Sequence, residues 1–194
     1  MTAVILSGGK SSRMGKNKAF LKFKGKTFLE RQIEALNEIF EEIIISTNSP
    51  EEYQNFNLPV IEDVYHDKGP LGGIYTGLIN SKSFYTFFLA CDMPFIEKKL
   101  IKSLQVFTKD KDYDVIVPIN SNRLEPLHAI YSKNCINPIK KQIDTNNLKI
   151  IDFYPQVKVK RVEIDKYIQP KNANENPLTN LNTIEEYKRV EIRA

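Results

Sequence analysis

Residues Val4–Lys18 read VILSGGKSSRMGKNK. Val4, Ile5 and Leu6 have the composition of a strand buried on both faces, and the run breaks at once into Ser7, Gly8 and Gly9. The chain therefore opens as a strand delivering a loop. Adjacent glycines let the backbone approach a ligand and turn its amides toward it, and Arg13, Gly15, Lys16 and Lys18 follow with cationic side chains. Such a loop suits a polyphosphate. Two common phosphate loops are excluded by spacing. Five residues, not four, separate Gly9 from Gly15-Lys16, and Asn17 stands where a P-loop needs Ser or Thr. A dinucleotide fingerprint fails as well, because Gly8 and Gly9 are adjacent and no third glycine falls in place.

Outward from the loop, strands and helices alternate. Phe20–Phe28 (FLKFKGKTF) alternates apolar residues with lysines and turns at Gly25, as a short extended segment or hairpin arm with its lysines in water. Thr27 and Glu30 form a capping box ahead of Leu29, Ile33, Leu36 and Phe40, the spacing of an amphipathic helix. Glu42–Ser46 is a second buried strand, and Ser49-Pro50-Glu51-Glu52 predicts another capped helix. Pro59–Asp63 is a third strand, ending in carboxylates at the edge where open parallel sheets bind ligands. Gly69-Pro70-Leu71-Gly72-Gly73 then reads either as a turn kept bare for a base or ribose or as an ordinary tight turn into a helix. Phe84–Cys91 is the most apolar run and so the central strand. It ends in Asp92-Met93-Pro94, where Asp92 is either a turn residue or a carboxylate placed to hold Mg2+ beside a nucleotide's phosphates.

A helix over 96–107, a strand over 114–119, a segment 123–131 ending in a strand that pairs antiparallel, a helical stretch over 134–154 and a strand over 157–164 complete the pattern. Thr183 with Glu186 caps a last helix, and Asn180 and Asn182 alternate onto one face of the extended segment before it. The expected fold is α/β: a Rossmann-like open, mostly parallel sheet with helices on both faces and one antiparallel strand, as a single domain over 1–194. His128, followed by an alternating apolar run, reads as a satisfied structural histidine and not as an acid–base partner of Glu125. His66 lies in a polar loop and reads as exposed.

With 41% hydrophobic and 27% charged residues the chain has an ordinary globular composition, and disorder is excluded as its main state. The net charge of +4 is mild. Lys16, Lys18, Lys22, Lys24 and Lys26 read as a solvated face; without a recognised reading element they give no nucleic-acid partner. Cys91 and Cys135 lack metal-site or disulfide-framework spacing, which suits a reducing cytoplasm. No run is long and apolar enough for a membrane partner, and a cytoplasmic location is expected.

The pattern L-S-G-G-x-x-x-R-M-G-x-x-K at 6–18 resembles the signature of sugar-nucleotide and cofactor nucleotidyltransferases, and within them the molybdenum cofactor guanylyltransferases. C-D-x-P at Cys91–Pro94, G-P-L-x-G at Gly69–Gly73 and N-x-N-T-x-E-E at Asn180–Glu186 are similar to further elements of that family. Ser7 stands where the family usually has alanine, Ile184 where it often has proline, and Ser46 where some members have asparagine, with Asn48 two residues on. The resemblance implies transfer of GMP from GTP to the terminal phosphate of molybdenum-bearing molybdopterin, with release of pyrophosphate. It implies that Arg13, Lys18 and Asp92 carry the chemistry and that Asp92 holds Mg2+. Nucleotide contacts would come from Leu6, Ser7, Gly8, Gly9 and Lys18, and from Asp63, Gly69 and Asp92. Asn180 and Asn182 would touch metal, phosphate or acceptor. Asp63 has two acceptors for a guanine N1 and N2 edge, or for a ribose. Related cytidylyltransferases carry alanine where Gly8 stands, so GTP is expected over CTP. The competing readings are a nucleotidyltransferase using CTP or a sugar phosphate, and a nucleotide-binding module without catalysis.

Overall fold

The computed structural model describes residues 1–8, 17–120 and 122–164, with Leu178, Leu181, Glu186 and Tyr187. β1 (Thr2–Leu6) is buried at every position, as its unbroken apolar run requires. A 3-10 helix at Lys18–Phe20, which the sequence did not signal, precedes the expected hairpin of β2 (Lys22–Phe23) and β3 (Lys26–Thr27). The hairpin turns through Lys24 and Gly25, both with positive φ, and its lysines are exposed. α1 (Phe28–Asn37) starts at the capping box: Glu30 N donates to Thr27 Oγ1 at 3.1 Å, and Thr27 N donates to Glu30 Oε2 at 2.6 Å. β4 (Glu42–Thr47) follows. The segment Pro50–Phe56 is a 3-10 helix, not the capped α-helix expected, and the Ser49 side chain makes no capping bond.

β5 (Val60–Glu62) leads to α2 (Gly69–Asn80), which begins at the glycine cluster, so Gly69–Gly73 is the helix's first turns and not a loop before it. A Cβ on Gly73 would come 2.8 Å from Leu6 Cδ2, and one on Gly77 2.5 Å from the Phe88 ring. These side chains are omitted so that α2 can lie close against the sheet. β6 (Tyr85–Ala90), α3 (Lys98–Val106), β7 (Val115–Asn120), the short β8 (Arg123–Leu124) and β9 (His128–Ser132) follow. The predicted helical stretch over 134–154 divides into α4 (Ile136–Asp144) and a 3-10 helix at Ile150–Gln156. Asn146 ends α4 in the left-handed conformation (φ 56°), with Asn147 N donating to Gln142 O and Asn146 N to Ile143 O, a Schellman motif. β10 (Val159–Glu163) closes the described core. The C-terminal helix expected from Thr183 falls largely outside the described residues.

The sheet runs β10-β7-β9-β6-β1-β4-β5, with β8 paired to β7. β1 pairs in parallel with β4 and β6, and β9 is antiparallel to both β6 and β7, the reversal expected after segment 123–131. α1 and α3 cover one face, α2 and α4 the other. The carboxyl ends of β1, β4, β5 and β6 therefore open on one edge, beside the point where strand order reverses at β1. Among the described residues no helix is long and apolar enough to cross a membrane.

Candidate active site at the carboxyl edge of the sheet

Beyond their last ladder positions, β1 and β6 stay tied: Cys91 N donates to Leu6 O at 3.0 Å, and Ser7 N donates to Ser46 O of β4 at 2.8 Å. This brings Ser7 and Gly8 alongside Cys91 and Asp92. Between them lies a cleft of about 180 Å³, lined also by Leu6, Asn17, Lys18, Pro70, Ala90 and Leu127. Lys18 Nζ stands 3.4 Å from Asp92 Oδ2, both side chains one-fifth exposed. Burial raises the Asp92 carboxyl above its ordinary value, and Lys18 pulls it back. The cleft thus joins a cation, a carboxylate and a loop backbone that the sequence separates widely.

A hydrogen-bonded wall fixes Lys18. Asn17 accepts from Ala19 N through its side-chain oxygen at 3.1 Å, and its Nδ2 donates to Tyr53 OH and Glu52 Oε2, each at 2.7 Å. The Tyr53 hydroxyl in turn lies 2.6 Å from Ser7 Oγ. Tyr53 is fully buried, and burial pushes its phenol up. Neither Asn17 nor Tyr53 was identified from sequence as a site residue. Asn17 carried a weak signal, as the residue that broke the P-loop pattern; Tyr53 carried none. Burial pushes the Cys91 thiol up to about 11, leaving it an inert part of the floor.

Asp63 is 4% exposed and accepts from Ser46 Oγ. Burial raises its carboxyl, with the Ser46 hydrogen bond opposing. A Cβ on Gly8 would come 2.8 Å from Asp63 Oδ2 and 3.4 Å from Asn48 Nδ2. Glycine at this position therefore lets the loop pass directly over Asp63, with the Asn48 amide beside Gly8. Gly69 does not line the cleft; Pro70, at the start of α2, does. Gly9, Arg13, Asn180 and Asn182 lie outside the described residues. Leu181, between the two asparagines, donates its N–H to Asp92 O at 3.0 Å and is buried against Phe23, Phe28 and Phe95.

His66 is exposed, 3.5 Å from Glu62. His128 is fully buried at an edge contact with Phe87, and burial pushes its imidazole down to about 3. It is structural, as expected, but not satisfied: neither ring nitrogen has a hydrogen-bond partner among the described residues. No acid–base pair with Glu125 forms. Among the described residues no three metal-ligating side chains cluster.

The family model described as the MobA-like NTP transferase domain matches residues 3–157. A Clostridium perfringens (strain 13 / Type A) protein named "Probable molybdenum cofactor guanylyltransferase" is 42% identical over 189 residues, 96% of this chain and 94% of that one. One from Desulfosudis oleivorans, named "Molybdenum cofactor guanylyltransferase", is 31% identical over 192 residues, 98% of this chain and 94% of that one. The crystal structure of molybdopterin-guanine dinucleotide biosynthesis protein A from Archaeoglobus fulgidus superposes with a TM-score of 0.84 at 22% identity, over 100% of this chain and 98% of that one, and so shares the fold. With a family model covering most of its length and relatives of this identity along nearly all of it, the chain belongs to the MobA-like NTP transferase domain family.

Proposed function

We propose that this chain is a molybdenum cofactor guanylyltransferase: it transfers GMP from GTP to the terminal phosphate of molybdenum-bearing molybdopterin, releasing pyrophosphate. The relatives' names support this reading. The observation that carries it is the convergence of Gly8, Lys18 and Asp92 on one cleft at the carboxyl edge. An acceptor phosphate oxygen attacks the α-phosphorus of GTP, a new P–O bond forms, and the bond to the β-phosphate breaks to free pyrophosphate. The main cost is charge repulsion between acceptor and triphosphate, so catalysis is a matter of placed cations and amides. Lys18 and the Gly8 amide take phosphate oxygens, with Gly9 and Arg13 of the same loop in the same role.

Asp92 fits a magnesium ion: its carboxylate is a hard oxygen donor at a cleft wall, one-fifth exposed, and such an ion takes oxygen ligands. Bound there, the ion would neutralise charge developing on the phosphates. Asp63, beneath Gly8, is the carboxylate that accepts from the guanine edge. The enzyme works as one domain over residues 1–194, in the cytoplasm. Thermal stabilisation by GTP, CTP and UTP with Mg2+ tests the nucleotide assignment. GTP should raise the melting temperature most; a larger shift with CTP would overturn the choice of base.

A further inference from the structure

A second groove, of about 640 Å³, runs along the same edge. It begins at Pro70 and Leu127, which also line the first cleft, and extends to Leu148, in the turn after α4, and Ile151 of the 3-10 helix that follows. A ligand lying in it has one end at the cleft that Lys18 and Asp92 line. Its walls are aliphatic or proline for most of their length, the lining that takes a flat heterocycle, and they carry one enclosed charge, Glu125.

Glu125 is 7% exposed, and burial raises its carboxyl, with Arg123 opposing. The Arg123 guanidinium, 3.3 Å away, is itself 76% exposed. An ion pair with so solvated a partner returns little of what it costs to take a carboxylate out of water. Besides that pair, its bonds among the described residues are those of its backbone, Glu125 N to Pro118 O and His128 N to Glu125 O, which glutamine would make equally well. The arginine meets Oε1, and among the described residues Oε2 has no protein partner.

Resting on the guanylyl-transfer reading, we propose that this groove holds the bicyclic pterin of the acceptor and that the Glu125 carboxylate accepts from its N3–H and 2-amino group. The two parallel donors of that edge match the two oxygens of a carboxylate. The acceptor's phosphate then points to the Pro70–Leu127 junction, toward Lys18 and Asp92. Glu125 is on this account the specificity-determining residue for the acceptor.

The test follows the fluorescence of 6-hydroxymethylpterin and of the corresponding lumazine, which has oxygen in place of the 2-amino group, during titration with the full chain and with Glu125→Gln. Stabilisation by GTP is measured in parallel. The wild type should prefer the pterin by about tenfold or more, and Glu125→Gln should lose that preference. The variant should melt no lower than wild type and keep its GTP stabilisation, because a poorly compensated buried charge has gone. Equal binding of the two heterocycles, no pterin binding, or a preference that survives Glu125→Gln, each with GTP stabilisation intact, overturns the groove assignment alone. Failure of Glu125→Gln to fold would make the carboxylate structural and overturn it too. Absence of GTP stabilisation in wild type would overturn both the guanylyl-transfer reading and this one.

Discussion

On the β1–β4 side of the carboxyl edge, polar side chains that leave water meet partners in the protein. Ser7, Asn17, Glu52 and Tyr53 form one network, and Asp63 has Ser46. On the β7–β9 side, Glu125 has one exposed arginine, and the His128 ring has no partner among the described residues. Buried polar groups that are paired rigidify their surroundings, whereas unpaired ones cost stability. The half proposed for the triphosphate is thus held ready by the fold itself, while the half proposed for the acceptor keeps a carboxylate with one solvated partner.

The comparison breaks most visibly at the cleft. Lys18→Ala and Asp92→Ala should each lower turnover at least about a hundredfold in a pyrophosphate-release assay, since one removes the cation proposed to meet the phosphates and the other the carboxylate proposed to hold the ion that neutralises them. Near-normal rates in both would leave the prepared half without a catalytic purpose. Gly8→Ala is next: its methyl would meet the Asp63 carboxylate, so the loop must lift, and KM for GTP should rise on the order of tenfold with a folded protein.

Tyr53→Phe sharpens the contrast, because it deletes the hydroxyl joining Ser7 to Asn17 without changing the ring. Denaturant unfolding should show a loss of about 1–2 kcal/mol. On the other side, His128 contributes a pH dependence. Its folded pKa, about 3, lies below the 6.5 of the unfolded chain, so the unfolded state takes up the proton first and stability falls as pH drops below 6.5. Asp63 and Glu125, raised by burial, act in the opposite sense, favouring the folded state at acid pH. The difference between wild type and His128→Leu isolates the histidine: the variant's melting temperature should decline less on acidification. Parallel curves would show the ring is not held neutral.

The places of Gly8 and Asp92 at strand tips were legible in the sequence because their signals are local. An apolar run followed at once by Gly8, and a central strand followed by Asp92, mark strand tips whatever packs around them. Open parallel topology then brings the tips together. The Asn17–Tyr53–Ser7 wall was not legible, since no spacing pattern carries Tyr53 to the end of β1; only the packing of the 3-10 helix at Pro50–Phe56 does so. For the same reason the sequence left Gly69–Gly73 open between a turn kept bare for a ligand and a tight turn into a helix, when Gly73 answers to Leu6 on a strand distant in sequence. His128 was placed in the core by its apolar neighbours, but no sequence pattern reports whether a buried ring finds a partner.

On the proposed function, one triphosphate touches the Gly8 loop, Lys18 and Asp92 together and is cut at its α-phosphorus. Incubating the protein with Mg2+, molybdenum-bearing molybdopterin and GTP labelled at the α-phosphate tests it most directly. The account predicts that the label moves into the guanine dinucleotide product as unlabelled pyrophosphate is released, and that Asp92→Ala abolishes the transfer. GTP bound by the wild type with no label reaching the pterin, or transfer undiminished in Asp92→Ala, would contradict it.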